Sequence, residues 1–286
     1  MKEIIKFYYS LDHIKKYYII NNSIHFTCKG INYIFEPIND RKYIKSVYEI
    51  TQLNKNYDQI VLNIYKKIYT TINNIDYVLI KCNVHMESFI DNIFNNKNFF
   101  EYNNYLNRSN WIELWTKKID FYEYQHNYIK THDFLFESLN YYLGMAENAV
   151  SYIKYNIKQN NKPLVLSHKR IEKNNFYNPL NLIIDYRARD ISEYLKYIFF
   201  TKKYKKINFY NFFIKLNFDR SDYILLYGRL LFPSYYFDLY DQIINNNLEQ
   251  KKILDIISRT KEYEKYIKNI YNTILKIVDI PKIEWL

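Results

Sequence analysis

Only three glycines stand among 286 residues, and this scarcity limits the chain more than any other feature of its sequence. Gly30, Gly144 and Gly228 lie far apart, so neither a G-x-G-x-x-G turn nor a Walker A loop can be written. Any turn that approaches a phosphate closely must use other residues. HExxH, HxH and G-x-S-x-G are also missing, and His13, His25, His85, His126, His132 and His168 are scattered. The usual sequence support for an NTPase, a zinc enzyme or a serine hydrolase is therefore lacking.

Hydrophobic residues make up 48% of the chain, enough for a packed core rather than a disordered polymer. The 34 tyrosines and 19 phenylalanines fall mostly at helical or strand spacing and read as core, in a composition typical of an A- and T-rich genome. The charge balance is 41 − 30 = +11, but the lysines are spread along the whole chain. The densest group, Lys202, Lys203, Lys205 and Lys206, reads as a solvated helix junction, so nucleic acid is not the expected partner. Cys28 and Cys82 supply no disulfide framework, which suits a reduced interior. No apolar run reaches the ~18–20 residues that span a bilayer, and the charged N-terminus is no signal peptide. A soluble protein with no membrane partner is expected.

Residues 1–85 read as a small α+β lobe. The first ~16 residues suit a helix with Ile4, Ile5, Tyr8 and Leu11 on one side. Two β-rich runs flank Lys29-Gly30, and Pro37 is expected to end the second. RKYIKSVYEITQLNK repeats Ile44, Val47, Tyr48 and Leu53 at helical spacing, and YTTINNIDYVLIKCN reads as a hairpin turning at Asn73-Asn74. Residues 86–286 read as a mostly helical lobe. One helix carries Trp111, Trp115, Ile119 and Tyr122, with Asn110 and Glu113 at capping-box offset. Another stripes through Leu139, Leu143, Ala146, Val150, Ile153 and Ile157, with Gly144, Ala146 and Ala149 open to close approach. Further helices follow, with Pro233 at the start of one, and a closing helix is expected over ~249–278. No Gly-, Ser- or Pro-rich linker separates the lobes.

Two short strands, PLVLSH and NLIID, flank the stretch that carries chemistry, SHKRIEKNNFYNPLNLIID. In the aminoglycoside and choline kinase group, H-x-D-x-x-x-x-N followed by a strand ending in I-D supplies a proton acceptor and metal-holding oxygens. Here His168 is first, Arg170 takes the base position, Asn175 stands seven after the His, and Asp185 closes the strand.

The blocks NRSNWIELWTKKIDFYE, NYYLGMAENAVSYI, NPLNLIIDYRARDISEYLKYIFF and LLYGRLLFPSYYFD resemble the YutH branch of the spore-coat CotS-like proteins. They lie between ~106 and 240, in the expected order, and cover about half the chain. The resemblance implies a two-lobed protein-kinase-like fold of the aminoglycoside phosphotransferase type. It also implies a role in the spore coat or sporulation, coat proteins as partners, and a cytoplasmic location or a coat assembled from the mother-cell cytoplasm.

Three departures put catalysis in doubt. A guanidinium stays protonated, so Arg170 cannot take a substrate proton. Aligning the family's third strand on INYIFEPI puts Glu36 where an ATP-anchoring Lys belongs; Lys81 is the substitute candidate, and Glu49 the candidate helix partner. The phosphate lid lacks glycine. Asn175 and Asp185 remain as metal positions. Arg187 or Arg189 is expected to brace the loop through a carboxylate, and Asp190 to favour a helix start. The expectation is a pseudokinase scaffold with no required cofactor. Weak Mg·ATP binding through Asn175 and Asp185 is compatible with that reading; the alternative is an active small-molecule phosphotransferase that binds Mg·ATP tightly and uses Glu172 or Asp185 as a displaced base.

Overall fold

The computed structural model describes residues 1–20, 22–84, 93, 105–126, 128, 133–157, 162–172, 175–245 and 248–283. Two compact units divide the chain: Met1–Asn107 with Leu166–Ile184, and Arg108–Val165 with Asp185–Leu286. The lobe boundary expected between residues 85 and 86 lies outside the described residues, as do His85 and His132.

The first unit is built on a six-stranded antiparallel sheet. Its strands are β1 (Lys15–Ile20), β2 (Ser23–Cys28), β3 (Ile31–Ile38), β4 (Gln59–Val61), β5 (Thr70–Ile72) and β6 (Ile75–Lys81). The order is β1-β2-β3-β6-β4, with β5 also on β6. Glycine is scarce, so asparagine and lysine take the left-handed turn positions. Lys29 and Gly30 turn β2 into β3 at φ 50 and 80, and Asn73 and Asn74 turn β5 into β6 at φ 48 and 64. Two successive positive φ values match the right-handed twist of a two-residue hairpin, and Asn tolerates them best after Gly.

Helix α1 (Lys2–Tyr9) is shorter than the expected ~16 residues. Ser10 takes a left-handed C-cap, and the chain then enters β1, a strand the helical reading missed. Ile5 and Tyr9 of α1 pack with Ile24, Phe26, Phe35 and Leu79 on one face of the sheet. Helix α2 (Arg41–Leu53) starts at Asp40, whose carboxylate accepts the N–H groups of Lys42 and Tyr43. It buries Tyr43, Ile44, Val47 and Ile50, whereas Leu53 is 89% exposed rather than core. Pro37 does not end β3 but lies within it opposite Tyr77. The pairing of β3 with β2 stops at Phe35, so Pro37 has a neighbouring strand on one side only and its missing N–H breaks no ladder.

The second unit is helical: α3 (Trp111–His126), α4 (Asp133–Asn156), α5 (Ala188–Phe200), α6 (Phe209–Leu216), α7 (Arg220–Leu231), α8 (Ser234–Ile244), α9 (Leu254–Ile257) and α10 (Thr260–Ile274). Trp111, Trp115, Ile119 and Tyr122 form the buried stripe of α3, as their spacing predicts. Asn110 bonds Glu113 through its side-chain amide at 2.5 Å. The expected closing helix over ~249–278 is broken into a 3-10 turn at Gln250–Ile253, then α9, then α10. Strands β7 (Leu164–His168) and β8 (Leu182–Tyr186) pair in a separate two-stranded sheet, and each runs across the division between the units.

Burying so many tyrosines requires acceptors for their hydroxyls. The helices provide them from main-chain carbonyls: Tyr263 donates to Leu230 at 2.8 Å, Tyr266 to Leu195 at 2.9 Å and Tyr223 to Phe213 at 2.9 Å. Close approach in this unit is made at Gly228. A Cβ there would meet Ile153 Cγ1 at 2.6 Å and Cδ1 at 2.8 Å, whereas at Gly144 it would meet nothing within 4 Å.

That contrast predicts opposite signs for one substitution. Gly144→Ala stabilises by about 0.5–1 kcal/mol, since alanine is the better helix former. Gly228→Ala gains the same propensity but must displace Ile153, an overpacking cost of about 1–3 kcal/mol, and ends net destabilised. Urea unfolding midpoints measured side by side decide this.

Candidate functional site

In the first unit the loop after β7 is held by its own amides. Asn181, at the end of a 3-10 turn (Pro179–Asn181) leading into β8, clasps Arg170 by both its backbone N–H and its carbonyl. Its Oδ1 accepts the Arg170 N–H at 3.1 Å, and its Nδ2 donates to the Arg170 carbonyl at 2.8 Å and to that of Asn175 at 3.1 Å. Sequence spacing pointed to Asn175, but the side chain that organises the loop is Asn181. The signal was present, because Asn181 directly precedes the apolar run LIID; counting seven residues from His168 overlooked the longer loop.

His168 is buried, 1% exposed, and its ring stacks on Phe176 with centroids 4.1 Å apart. Tyr43 of α2 places its hydroxyl 2.8 Å from the Leu180 carbonyl and 2.9 Å from that of Leu182. Lys169 donates to the Leu180 carbonyl and lies 4.3 Å from the Tyr43 ring centre. The Arg170 guanidinium donates to the Lys169 carbonyl at 2.6 Å. Glu172 is exposed, and its carbonyl accepts the Asn175 N–H at 3.1 Å.

Glu36 on β3 meets this loop: Asn178 Nδ2 donates to its Oε2 at 3.3 Å. Burial pushes the Glu36 carboxyl up from the ordinary range, opposed by the Asn178 bond and by the charge of Lys169. Lys81 is not brought to the same place. Glu36 pairs with Val78, so Lys81, an odd number of residues further along β6, projects from the opposite face of the sheet, opposite Tyr33. Glu49 is exposed on α2.

Asp185 belongs to the second unit and is fully buried there. Its Oδ2 accepts Arg189 Nη1 at 2.6 Å and Trp111 Nε1 at 3.0 Å, and its Oδ1 accepts the Tyr186 N–H at 2.7 Å. Burial pushes this carboxyl up; Arg189, Arg229 and the Trp111 N–H oppose the push. At 2.6 Å the contact with Arg189 has the geometry of an ionised pair. The carboxylate that Arg189 meets is that of Asp185 on β8 and not one of the loop expected to be braced, and Arg187 donates to the Leu216 carbonyl at 3.0 Å. Asp190 is a buried acid in the first turn of α5, where the helix dipole favours it.

The network continues beyond Asp185. Arg229 on α7 sits 5.1 Å from the Trp111 ring and 5.7 Å from that of Trp115, and bonds Glu193 at 2.9 Å. Lys196 lies 3.7 Å from Glu193 and donates to the Phe232 carbonyl and to Ser234 Oγ. Sequence reasoning did not assign Glu193, Lys196 or Arg229; the i, i+3 and i, i+4 spacings within IIDYRARDISEYLK were the available signal.

The family profile described as "Spore coat putative kinase YutH" matches residues 2–270 of this chain. The chain belongs to the spore coat YutH family. One YutH relative, the endospore coat-associated protein YutH of Bacillus subtilis, is 24% identical over 215 residues, which is 62% of this chain and 61% of the length of that protein. The chain therefore aligns with about three fifths of that relative. Among solved structures, a spectinomycin phosphotransferase crystallised with ADP and spectinomycin covers 94% of the chain at 12% identity with a TM-score of 0.52, and 93% of its own length is matched. An aminoglycoside phosphotransferase from Alicyclobacillus acidocaldarius gives 9% identity and a TM-score of 0.54, with 96% of each chain covered. At these identities the likeness shows the fold, and the α+β kinase-like fold of the aminoglycoside phosphotransferases is the fold of this YutH family member. No helix among the described residues is long and apolar enough to cross a membrane.

Two consequences can be measured. Removing the guanidinium in Arg189→Ala strands a buried carboxylate and costs about 3–5 kcal/mol, read as a lower unfolding midpoint. Glu36 acts in the other direction. Its folded-state pKa is raised, so its contribution to stability is full below the unfolded value and is lost as pH rises through the folded one. Glu36→Gln therefore stabilises the protein at neutral pH, and the gain closes at roughly pH 3, more than a unit below the unfolded value of about 4.3, where the glutamate is protonated in both states. Urea unfolding at the two pH values checks it.

Proposed function

We propose that this chain is a kinase-fold protein without phosphoryl transfer, acting as a binding scaffold among spore-coat proteins. The observation that carries the reading is the state of Asp185. A carboxylate that holds Mg²⁺ must offer its oxygens to the metal. Here one oxygen takes Arg189 and Trp111 and the other the Tyr186 N–H, in a fully buried position. Recruiting Asp185 to a metal, or using it as a displaced base, would require breaking a buried ion pair.

Two further features point the same way. At the position where the phosphotransferase motif places its proton acceptor stands Arg170, which remains protonated. On the family's third-strand alignment Glu36 stands where an anchoring cation belongs, and Lys81 projects from the other face of the sheet. Partners enter this reading through the family: the B. subtilis relative is named as endospore coat-associated. Coat location and coat-protein partners are accordingly part of the proposal, and so is a division of labour between a small α+β lobe and a helical lobe.

The test is a thermal melt with and without Mg·ATP at about 5 mM, alongside an assay for ADP formation. A ligand that binds the native state must raise its melting temperature. The expected result is no shift and no ADP above background, in wild type and in Arg170→Asp alike. A saturable shift that disappears in Asp185→Asn, or Mg²⁺-dependent ADP formation, overturns the proposal. In sporulating cells, an Arg170→Ala fluorescent fusion decorates the coat as the wild type does; loss of that signal at equal protein level counts against a catalysis-independent role.

A further inference from the structure

Two segments of the first unit meet in an exposed apolar patch: the end of α1 and the connection between β4 and β5, which reads LNIYKKIY from Leu62 to Tyr69. The Ile64 N–H donates to the Tyr8 carbonyl at 2.8 Å, and the Tyr8 ring makes edge contacts with those of Phe7 and Tyr65, whose centroids lie 5.2 and 6.1 Å away. Phe7 and Tyr65 are each 60% exposed, Ile64 45% and Leu62 37%. A loose loop would fold such side chains against the body of the protein. This one is held open by Asn63, which is buried and commits its whole side chain to the loop. Its Oδ1 accepts the N–H groups of Tyr65 and Lys67 at 3.0 Å, and its Nδ2 donates to the Tyr69 carbonyl at 3.2 Å and to Thr70 Oγ1 at 3.1 Å. The Asn63 main chain closes the same turn: its carbonyl accepts the Lys66 N–H at 2.8 Å, and its N–H donates to the Lys67 carbonyl at 3.0 Å. Lys66 takes a φ of 56 within that turn.

We propose that this patch docks on an anionic lipid bilayer. Charge complements such a surface. Lys66 and Lys67 directly follow Ile64 and Tyr65, α1 adds Lys2 and Lys6, and the single acid of the two segments, Glu3, is paired with Lys6 at 2.8 Å. The two segments therefore sum to 4 − 1 = +3. Aromatic and branched apolar side chains set among lysines suit the boundary of a bilayer. The rings sit at headgroup level, the lysine stems lie along the acyl boundary, and the ammonium groups reach lipid phosphates. Shape decides between a bilayer and a folded acidic partner. Phe7, Ile64 and Tyr65 project from a hydrogen-bonded frame, so a folded partner would need a preformed cavity to match them, whereas lipid closes around whatever projects into it. The expectation of no membrane partner rests on the lack of a spanning run, and a patch that lies on the surface needs none.

A chain of charge +11 adsorbs to any anionic surface at low salt, so the experiment separates the patch from the bulk charge. The full chain is sedimented with vesicles of phosphatidylcholine, alone or with about 30% phosphatidylglycerol, at about 0.05 and 0.3 M salt. Binding to the anionic vesicles that persists in part at the higher salt is expected. Ile64→Ser with Tyr65→Ser, which leaves the charge unchanged, weakens it about tenfold or more. Lys66→Glu with Lys67→Glu does the same, whereas Lys202→Glu with Lys205→Glu, an equal change of charge between α5 and α6, weakens it far less. Hydrogen exchange on the wild type gives a readout free of mutation: exchange across residues 62–69 slows when anionic vesicles are added, and exchange across residues 202–206 does not. No binding to anionic vesicles, binding indifferent to the Ile64 and Tyr65 changes, equal losses from the two lysine pairs, or complete release at the higher salt overturns the proposal. Exchange across residues 62–69 that slows with poly-glutamate and not with vesicles also overturns it, and marks an acidic partner instead.

Discussion

The ion pair between Asp185 and Arg189 is the interaction on which the helical unit is organised. Strand β8 delivers Asp185 to the interior, and one helical turn later α5 presents the guanidinium that answers it. A carboxylate so deeply buried would be costly without a partner. Once the pair is made, Trp111 has a fixed acceptor for its indole N–H, and Arg229 has two indole faces to lie against. Glu193 then neutralises Arg229, and Lys196 links α5 to the start of α8 through Phe232 and Ser234. Four helices are tied by one polar chain, in which each group is placed by the one before it.

The blocks that carry the family resemblance converge on this chain. WIELW supplies the two indoles, RDISEYLK supplies Arg189, Glu193 and Lys196, and RLLFPS supplies Arg229, the Phe232 carbonyl and Ser234. A hydrophobic replacement of similar volume could hold helices together at least as well, since desolvating so many charges consumes most of their attraction. What a buried network does better is penalise alternative packings, because any slip leaves an unpaired charge. The motifs recognised in the sequence are thus recognisable for a structural reason. They record a packing solution for the helical unit, and they carry no information about turnover.

Much of the fold was legible because burial is periodic where it is strong. The α3 stripe of Trp111, Trp115, Ile119 and Tyr122, and the Asn73-Asn74 hairpin, follow from spacing and turn chemistry alone. The misses share a cause, which is the absence of a one-sided environment. β1 is exposed all round, so it shows no alternation to distinguish it from the helix before it. Leu53 sits at a helix end, past the packed turns. Pro37 looked like a terminus because the rule against proline in strands assumes neighbours on both sides, which β3 lacks there. In the loop, spacing from His168 marked Asn175 as a metal position and did not single out Asn181, the amide that reaches Arg170.

The Asn181 clasp also shows how a loop can keep its shape whatever side chain stands at position 170. Its contacts go to the peptide groups of Arg170 and Asn175, and peptide groups are present whatever the side chain. An aspartate or an arginine at position 170 would be gripped equally well, so the residue that matters most for proton transfer matters least for the conformation of the loop. The same separation holds for Glu36, whose link to Asn178 needs an acceptor oxygen but no particular charge. At Asp185 it fails. There charge and packing are one interaction, and a substitution would disturb the helical unit together with any metal-binding capacity.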